Sequence, residues 1–585
     1  MWPNKAASKR ACDVCRRRKI KCDGEAPICS TCEASGMPCC YAEAPKKRGP
    51  KTSGIRARRA GAQGRTGDRS GALFAGSHLT SSPMSTASPP TEGHERSPMA
   101  AASTPSSSSP QGVENLKRAA AQIYDALVHE VGASGEGRGL GSIIVECVSR
   151  HTQNSYVYGP LYHEPSVLAL AKFLSREAAI PGQLATCSLL RVDCWEDLVS
   201  NVRDITLIMA VCARIAFDAP RDRQPAPGCL GAHFLHSTEE MLKVFEKWDI
   251  EHPSASSLTI RILLASTYHT IGRRSLSSHF HCQARLMAVG LRLYSEAVIS
   301  RYGPLEAQLL RMNFWLLYRS ERAIAILNNQ PVLIQPAMLD GEIDVALTGQ
   351  HQVSLLDPEQ KHNTPEFEER IFISYDLYRR VWTRALDFML TIRYHGKKRS
   401  DNNIIIINNN TAHGADRLDE LTRLYFAFIG GLDDLPTWLQ NPNAVMGEDE
   451  EIATHHRRCF WAQRANLTLS FHCIKMVMVC WCIDTKTTAC MGLSDQAAML
   501  DMKKTEIAGD FLHELALVPF EALQLNGEPC VEKLRRVGAV LLEVTQAPGS
   551  SSVLTRCKGY LARLLDILAR LDSRVSDELG RESGV

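Results

Sequence analysis

The sequence predicts three parts in order: a small metal-stabilised domain, a disordered linker and a large all-α domain. The first part is indicated by regularly spaced cysteines in residues 12–39. The linker is indicated by residues 81–112, where 19 of 32 residues are Ser, Thr or Pro, and the helical domain by periodic apolar residues from about residue 113. At 585 residues the chain is too long for one hydrophobic core, so two or three domains are expected.

The cysteine-rich stretch is an internal repeat in which the pattern C-x2-C-x6-C occurs twice. Two cysteines separated by two residues can bind one tetrahedral metal ion from a single turn. The stretch has few apolar residues to bury, and nothing before it resembles a secretory signal, which disfavours a disulfide framework. We therefore predict a metal site formed by six cysteines: Cys12, Cys15, Cys22, Cys29, Cys32 and Cys39.

The number of cysteines predicts two zinc ions per chain. Six thiolates are too many for one tetrahedral ion, and two ions need eight ligand positions, so two cysteines must bridge. Zinc suits thiolate ligands better than harder metals do. The repeat indicates Cys12 and Cys29 as the bridges, with Cys15 and Cys22 completing one ion and Cys32 and Cys39 the other. Cys40 is an alternative to Cys39, whose spacing copies the first half of the repeat.

Positive charge is concentrated in the first half of the repeat. Five cations lie between its second and third cysteines, whereas residues 33–38 contain none. Residues 1–59 carry 15 Lys/Arg and 5 Asp/Glu, and the remaining residues carry 52 and 59. A basic head on an acidic body predicts that the head alone binds nucleic acid, although a basic patch for solubility is the simpler alternative. The candidate DNA contacts are Arg16, Arg17, Arg18, Lys19 and Lys21.

Residues 11–41, ACDVCRRRKIKCDGEAPICSTCEASGMPCCY, resemble the fungal binuclear zinc-cluster (Zn(2)-Cys(6) type) DNA-binding domain. Pro27 and Tyr41 also match that pattern. The resemblance implies that a short helix after the second cysteine enters the major groove of double-stranded DNA and contacts a CGG-type triplet. By position, Arg18 and Lys19 would contact bases, while the other three cations would hold phosphates.

The sequence predicts domain boundaries around this motif: a disordered arm at 1–11, the zinc cluster at 12–41, a basic tail and linker at 42–112, and the helical domain at 113–585. Residues 46–59 contain seven basic residues and no acidic one. Their densest part, Lys46, Lys47 and Arg48, is a candidate nuclear import signal, the alternative being a flexible charged tail. Residues 46–112 show no heptads, so a homodimer would form through the helical region.

Helical periodicity predicts an all-α body. The sequence IIII at 404–407 indicates a loop insertion or a short strand. The apolar stretch 467–483 includes His472 and Lys475 and is short for a membrane span, so a buried helix is expected. The predicted helices are 116–131, 195–217, 230–248, 254–272, 280–298, 305–329, 366–395, 415–430, 455–484, 493–517 and 553–579.

The body also resembles the regulatory middle domain of fungal zinc-cluster factors over residues 150–350. His163 and Pro165 match its opening motif, and residues 311–334 match its signature helix and the turn that follows. GEIDVAL, residues 341–347, follows where the family tends to have an Asp and then Leu-Pro, and here Thr348 replaces that proline. The signature positions are Arg311, Phe314, Trp315, Tyr318, Arg322 and Pro331. The three aromatic residues among them share a helical stripe, which favours a core position over a ligand pocket.

Three further patterns have simpler structural explanations than functional ones. Four cysteines at irregular spacing in an apolar run indicate buried thiols rather than a metal site. The seam of Leu561, Leu564, Leu568, Leu571 and Val575 is short for a coiled coil and favours a core helix. The acidic run 447–452 favours a solvated loop over a contact with the transcription machinery. The four cysteines are Cys473, Cys480, Cys482 and Cys490.

The sequence thus predicts a nuclear, sequence-specific transcription factor acting with RNA polymerase II, and not an enzyme. No phosphate-binding loop, nucleophile elbow or paired-histidine helix is present in it. A pathway-specific activator of a fungal secondary-metabolite gene cluster is the first expectation, and a regulator of carbon-source catabolism is the second. A zinc-bearing protein-interaction adaptor is the alternative from another class, disfavoured because residues 12–39 lack histidine.

Overall fold

In the computed structural model the chain divides into two compact units, Met1–Met99 and Ala100–Val585. The structure describes residues 12, 15, 22–23, 28–34 and 39 of the first unit. In the second unit it describes residues 109–133, 138–154, 159–218, 227–339, 353–401, 411–447, 449–546 and 551–571. Among these residues the second unit is largely helical and contains no β-strand.

The first unit contains one described helix, α1, over Ser30–Ala34. The longer helices of the second unit are separated by short turns, by brief helical segments and by 3₁₀ turns at Pro336–Met338, Gly430–Leu432, Pro442–Ala444 and Thr488–Met491. Its α-helices are α2 Pro110–Ala133, α3 Leu140–Asn154, α4 Glu164–Glu177, α5 Gln183–Thr186, α6 Trp195–Asp218, α7 Pro227–Glu251, α8 Ala255–Thr270, α9 Arg274–Gly290, α10 Glu296–Ile299, α11 Pro304–Asn328, α12 Pro365–Asp401, α13 Thr411–Ile429, α14 Thr437–Gln440, α15 Glu450–Thr485, α16 Ala497–Leu517, α17 Phe520–Gln546 and α18 Ser551–Arg570.

Most predicted helices match observed ones, but the prediction of a continuous helix over 280–298 is wrong. There α9 ends at Gly290, and Arg292 has φ 56°, a left-handed conformation that turns the chain before α10 begins. The predicted helix 553–579 is observed as α18 up to Arg570, and residues 572–579 lie outside the described residues, as do residues 404–407.

Three of the helices longer than ten residues were not predicted: α3, α4 and α17. The α17 helix contains Gly527, whose φ of 58° and ψ of −148° interrupt the helix, and Pro529 follows in the next turn. Gly and Pro are the residues that normally end helices, and no helix was predicted over residues 518–552. The kink accommodates both residues within α17: Gly527 adopts the non-helical φ and ψ, and Pro529 lies near the start of the helical segment that follows it.

The described residues of the second unit are held together by four hydrophobic clusters, which share several helices. One of them is formed mainly by α2–α9, and the others by α8–α18. The α8 helix is buried on nearly its whole circumference, as expected for a helix enclosed by its neighbours. Its N-terminus is closed by a capping box. The Ser254 hydroxyl accepts a hydrogen bond from the Ser257 amide, and the Ser257 hydroxyl accepts one from the Ser254 amide.

The long helix α15 is long and apolar enough to cross a membrane by length and composition alone. Inside the protein, however, 67% of its apolar window is buried, and it packs against α12, α16 and α17. Lys475 on this helix forms an ion pair with Asp510 of α16. The predicted buried helix at 467–483 is therefore confirmed as a core helix of the helical unit.

An ionic centre joins α6, α7 and α8. The Asp249 carboxylate is fully buried and lies 2.8 Å from Arg203 Nε and 2.5 Å from Arg261 Nη1. It also accepts a hydrogen bond from Ser257 Oγ at 2.6 Å. A buried charge is tolerated only when it is paired and hydrogen-bonded in this way, so the four side chains form one unit.

The aromatic stripe of the signature helix lies in the core, as predicted. Phe314, Trp315 and Tyr318 are 1%, 3% and 2% exposed. Arg322 is also buried and donates hydrogen bonds to the carbonyl oxygens of Tyr318 and Ile334, which fixes the turn after α11. Residues 340–352 lie outside the described residues, so the resemblance of residues 150–350 to a regulatory middle domain stays a prediction.

Two of the three remaining structural interpretations, those of the four cysteines and of the leucine seam, agree with the observed positions. Cys473, Cys482 and Cys490 are buried, and Cys480 is half-buried. Leu564 is buried, and α18 packs on α17, as a core helix would. The acidic run 447–452 is exposed at residues 449–451, but it is not wholly a loop as predicted: Glu450 begins α15, and Asp449 caps that helix by accepting hydrogen bonds from the amides of Glu451 and Ile452.

Candidate metal centre and nucleic-acid interface

Four cysteine side chains of the first unit meet in one small cluster. Cys12, Cys15 and Cys29 are fully buried, and Cys32 is 2% exposed. Their sulfur atoms all lie within 4.8 Å of one another. The half-buried Cys22 and Cys39 pack against this cluster, so all six predicted ligands come together.

The sulfur-to-sulfur distances fit thiolates bound to zinc. Cys12 Sγ lies 3.8 Å from Cys29 Sγ and 3.6 Å from Cys32 Sγ, and Cys15 Sγ lies 3.7 Å from Cys29 Sγ. A regular tetrahedron with Zn–S bonds of about 2.3 Å has edges of about 3.8 Å. Cys15 Sγ and Cys32 Sγ, the pair that the predicted bridging pattern places on different ions, lie 4.0 Å apart.

Backbone hydrogen bonds repeat in the two halves of the cluster. The Cys12 amide donates to Cys22 Sγ at 3.5 Å, and the Cys29 amide donates to Cys39 Sγ at the same distance. The sequence repeat is therefore also a repeat of geometry. Because an N–H donor stabilises a thiolate, each half contributes backbone support for its third cysteine.

The protonation chemistry of the cluster favours a bound cation. Burial raises the pKa of Cys32 to about 11, and it also raises the pKa of Cys15 far above its usual range. The Cys15 amide donates to Cys12 Sγ and lowers the pKa of that thiol to about 6. Closely packed thiolates repel one another, so full deprotonation requires a metal ion, and metal binding releases the thiol protons.

Asp23 also supports this centre, a role that sequence analysis missed. Its carboxylate accepts a hydrogen bond from the Ser30 amide at 3.1 Å and another from the Ser30 hydroxyl. Ser30 begins α1, the helix that carries Cys32, so Asp23 ties the end of the first half to the start of the second. The sequence signal for this contact was the position of Asp23, directly after Cys22 and seven residues before Ser30.

The predicted DNA contacts lie outside the described residues. This holds for Arg16, Arg17, Arg18, Lys19 and Lys21, and for Cys40, Lys46, Lys47 and Arg48. Their roles rest on the sequence. Cys15 and Cys22, the described residues on either side of this basic segment, both lie in the cysteine cluster.

The family described as the fungal Zn(2)-Cys(6) binuclear cluster domain matches residues 10–48. Residues 10–48 belong to this family. Its domain binds two zinc ions through six cysteines, and the grouped cysteines of this chain fit that content. Members of the family are transcription factors and not enzymes, as the sequence predicted.

Several fungal transcription regulators are similar to a short part of this chain. The quinic acid utilization activator of Emericella nidulans is 54% identical over 54 residues, which is 9% of this chain and 6% of that protein. Transcription factor qa-1f of Neurospora crassa is 51% identical over 47 residues, 8% of this chain and 6% of that protein. The abscisic acid cluster transcription factor of Leptosphaeria maculans is 48% identical over 50 residues, 8% of each chain.

These similarities cover less than a tenth of this chain and about a tenth or less of each relative. No solved structure matches the chain. The zinc-cluster domain is therefore identified by the family match to residues 10–48.

Proposed function

We propose that this chain is a nuclear, sequence-specific DNA-binding transcription factor that regulates genes transcribed by RNA polymerase II. The observation that carries the proposal is the zinc-cluster domain at residues 10–48, with its basic segment between Cys15 and Cys22. The basic segment provides phosphate-binding charge, and guanidinium and ammonium groups suit the acceptor atoms of guanine in a CGG-type triplet.

The proposed zinc ligands are Cys12, Cys15, Cys22, Cys29, Cys32 and Cys39, with Cys12 and Cys29 bridging. The distances around Cys12 and Cys29 and the matching amide bonds to Cys22 and Cys39 support this assignment. Cys29→Ala should lose bound zinc from both positions, whereas Cys40→Ala should keep two ions. Metal analysis of the purified full chain measures both, and two retained ions in Cys29→Ala would contradict the bridging assignment.

We propose that Lys19 contacts a base and that Arg16 contacts phosphate. Lys19→Ala should weaken binding to a CGG-containing site by about 1–3 kcal/mol and relax the base preference there. Arg16→Ala should weaken binding to all sequences alike and reduce the salt slope by about one unit. Binding of both variants to specific and scrambled duplexes across a salt series separates the two roles.

The control for these measurements is Lys9→Ala, which removes a cation before the first cysteine. Equal losses of Lys19→Ala on both duplexes would make Lys19 a phosphate contact. Unchanged binding by both variants would show that the basic segment does not contact DNA and would favour the protein-interaction adaptor.

We propose two alternatives for the regulated pathway: carbon-source catabolism and a secondary-metabolite gene cluster. The names of the Emericella and Neurospora relatives, together with a maltose fermentation regulatory protein from Saccharomyces cerevisiae, favour a carbon-source regulator. The name of the Leptosphaeria relative favours a pathway-specific activator of a secondary-metabolite gene cluster. Mapping of bound genomic sites distinguishes them, since the bound genes would encode either catabolic enzymes or one contiguous biosynthetic cluster.

The proposed import signal lies beside the zinc cluster, and the proposed protein contacts lie in the helical unit. We propose import through Lys46, Lys47 and Arg48, contact of the helical unit with the transcription machinery, and a homodimer formed through that unit. A fluorescently tagged chain without residues 46–59 should accumulate in the cytoplasm, and an unchanged nuclear signal would place the import signal elsewhere. Sedimentation of the full chain measures the oligomeric state directly.

A further inference from the structure

Two buried thiols of the helical unit face each other at the C-terminal end of α15. Cys482 lies in the last turn of that helix, and Cys490 lies in the 3₁₀ turn Thr488–Met491 that follows it. Their Sγ atoms are 3.8 Å apart, and both side chains are fully buried. They share a hydrophobic cluster with Leu421 and Tyr425 of α13. The pair therefore belongs to the core of the helical unit and uses none of the predicted zinc ligands.

The chain between the two cysteines turns back on itself through local hydrogen bonds. Lys486 has a left-handed conformation, with φ 54°, and ends α15. The Thr487 amide donates to the Cys482 carbonyl oxygen at 2.9 Å, and the Cys490 amide donates to the Thr487 carbonyl oxygen at 3.1 Å. The two thiols are therefore brought together by the backbone of one short segment.

The geometry of this segment suits a disulfide bond. A disulfide requires sulfur atoms about 2.05 Å apart, so the 3.8 Å separation has to shorten by a small movement of a side chain or of the turn. The turn faces solvent on its outer side, where Lys486, Ala489 and Gly492 are exposed. Because Cys490 is itself part of this turn, local opening of a single turn gives a small oxidant access to the pair.

The two sulfur atoms differ in reactivity. The Cys482 thiol donates a hydrogen bond to the Cys490 sulfur, which outweighs burial and lowers the pKa of Cys490. The same hydrogen bond, together with burial, raises the pKa of Cys482 far above its ordinary value. Since the thiolate is the reactive form of cysteine, Cys490 is the nucleophile of the pair and Cys482 is the thiol that reacts second.

We propose that Cys482 and Cys490 form a reversible intramolecular disulfide when the protein meets hydrogen peroxide. The Cys490 thiolate attacks one peroxide oxygen and the O–O bond breaks, so that Cys490 becomes a sulfenic acid and the leaving hydroxide takes up the thiol proton as water. The Cys482 sulfur then attacks the Cys490 sulfur, the S–O bond breaks, and the hydroxyl group leaves with the Cys482 proton as a second water. Two thiols are oxidised, one peroxide is reduced, and a dithiol reverses the reaction.

The disulfide would act on the connection between α15 and α16. The 3₁₀ turn that carries Cys490 packs against α13 as well as α15. Closing the bond would draw this turn towards the end of α15 and change its packing on α13. Intracellular disulfides that form reversibly usually have a catalytic or redox-sensing role, and a sensing role fits a pair in a regulatory core. The inference is independent of the DNA sequence that the zinc cluster contacts.

The test is peptide mapping of the zinc-loaded full chain after treatment with hydrogen peroxide. Free thiols are alkylated in denaturant without reductant, and the chain is digested with trypsin. Lys486 lies between the two cysteines, so they fall on separate peptides, residues 476–486 and 487–503. Peroxide should convert most of these two peptides into one linked species, lighter than their sum by the two lost hydrogen atoms, and dithiothreitol should separate them. The zinc-cluster cysteines lie on other peptides and do not interfere.

Single variants assign the sulfur atoms, because residues 476–486 also contain the half-buried Cys480. Cys482→Ala and Cys490→Ala should lose the linked species, and Cys480→Ala should keep it. Cys473→Ala, which removes a fully buried thiol from the same helix, is the matched control and should also keep it. In Cys482→Ala the reaction should stop at the Cys490 sulfenic acid, which dimedone labels.

The parent chain alone can overturn the proposal, whatever the stability of the variants. Peptides 476–486 and 487–503 that stay separate after peroxide treatment of the folded protein would do so, and so would a link that forms only after denaturation. A link that persists in Cys482→Ala would assign the bond to Cys480 and contradict the proposed pair.

Discussion

The two units of this chain bury different groups and are stabilised by different forces. The buried residues of the zinc cluster are four cysteines, and no apolar residue is buried among the described residues around them. The helical unit buries apolar side chains in four clusters and adds paired charges such as Asp249 with its two arginines. A domain of the first kind depends on its metal, and a domain of the second kind depends on packing and on neutralised charge.

Removal of the metal should produce the largest difference between the two units. Structural zinc contributes about 10–16 kcal/mol to small zinc domains, far more than a core of this size could replace. Excess chelator should therefore abolish DNA binding by the full chain while leaving its far-UV circular dichroism nearly unchanged, because the described long helices all lie in residues 110–570. Restored binding after zinc addition is the control, and a collapse of the helical signal would contradict the comparison.

Breaking the ionic centre should have the converse effect. Asp249→Ala leaves Arg203 and Arg261 buried without their counter-charge, which should lower the free energy of unfolding of the helical unit by about 3–5 kcal/mol. Zinc content should stay at two ions. Denaturant unfolding followed by circular dichroism gives the change, with the exposed pair partner Asp193→Ala as the control. A loss below about 1 kcal/mol would mean that solvent compensates the arginines.

A smaller effect is expected from pH. Burial, together with the charge of Arg285, lowers the pKa of His281 to about 3, while an unfolded histidine titrates near 6.5. The unfolded state therefore binds a proton that the folded state does not. The stability contributed by neutral His281 is present above pH 6.5 and is lost as the pH falls toward 3, by about 2 kcal/mol at pH 5.

His281→Gln should flatten this dependence, because glutamine does not titrate and retains an amide that can bond the Ser320 hydroxyl, 2.6 Å from His281 Nε2. Unfolding free energies at pH 7 and pH 5 measure the slope for both chains. Asp204 acts in the opposite direction, since burial raises its pKa to about 6. An unchanged slope in His281→Gln would show that His281 is not the titrating group.

The same contrast explains what the sequence could predict. Metal ligands are encoded by residue type and spacing, so six cysteines could be predicted as ligands, and four of them, Cys12, Cys15, Cys29 and Cys32, are found together. Apolar periodicity identified most helices of the second unit. It missed α17, which contains Gly527 and Pro529, two residues of the types that normally end helices. Contacts between distant segments, such as Asp23 with Ser30 or Lys533 with Asn466, leave no periodic pattern.

The α15 helix links regions of the core that would otherwise be separate. At about 1.5 Å per residue, its 36 residues span about 54 Å. Cys459 and Phe460 near its start belong to one hydrophobic cluster, and the residues that follow alternate between two others. A segment shared by three clusters cannot unravel without exposing all of them. We therefore expect α11–α18 to unfold cooperatively, because local unfolding of α15 at one end would remove packing from the clusters at the other.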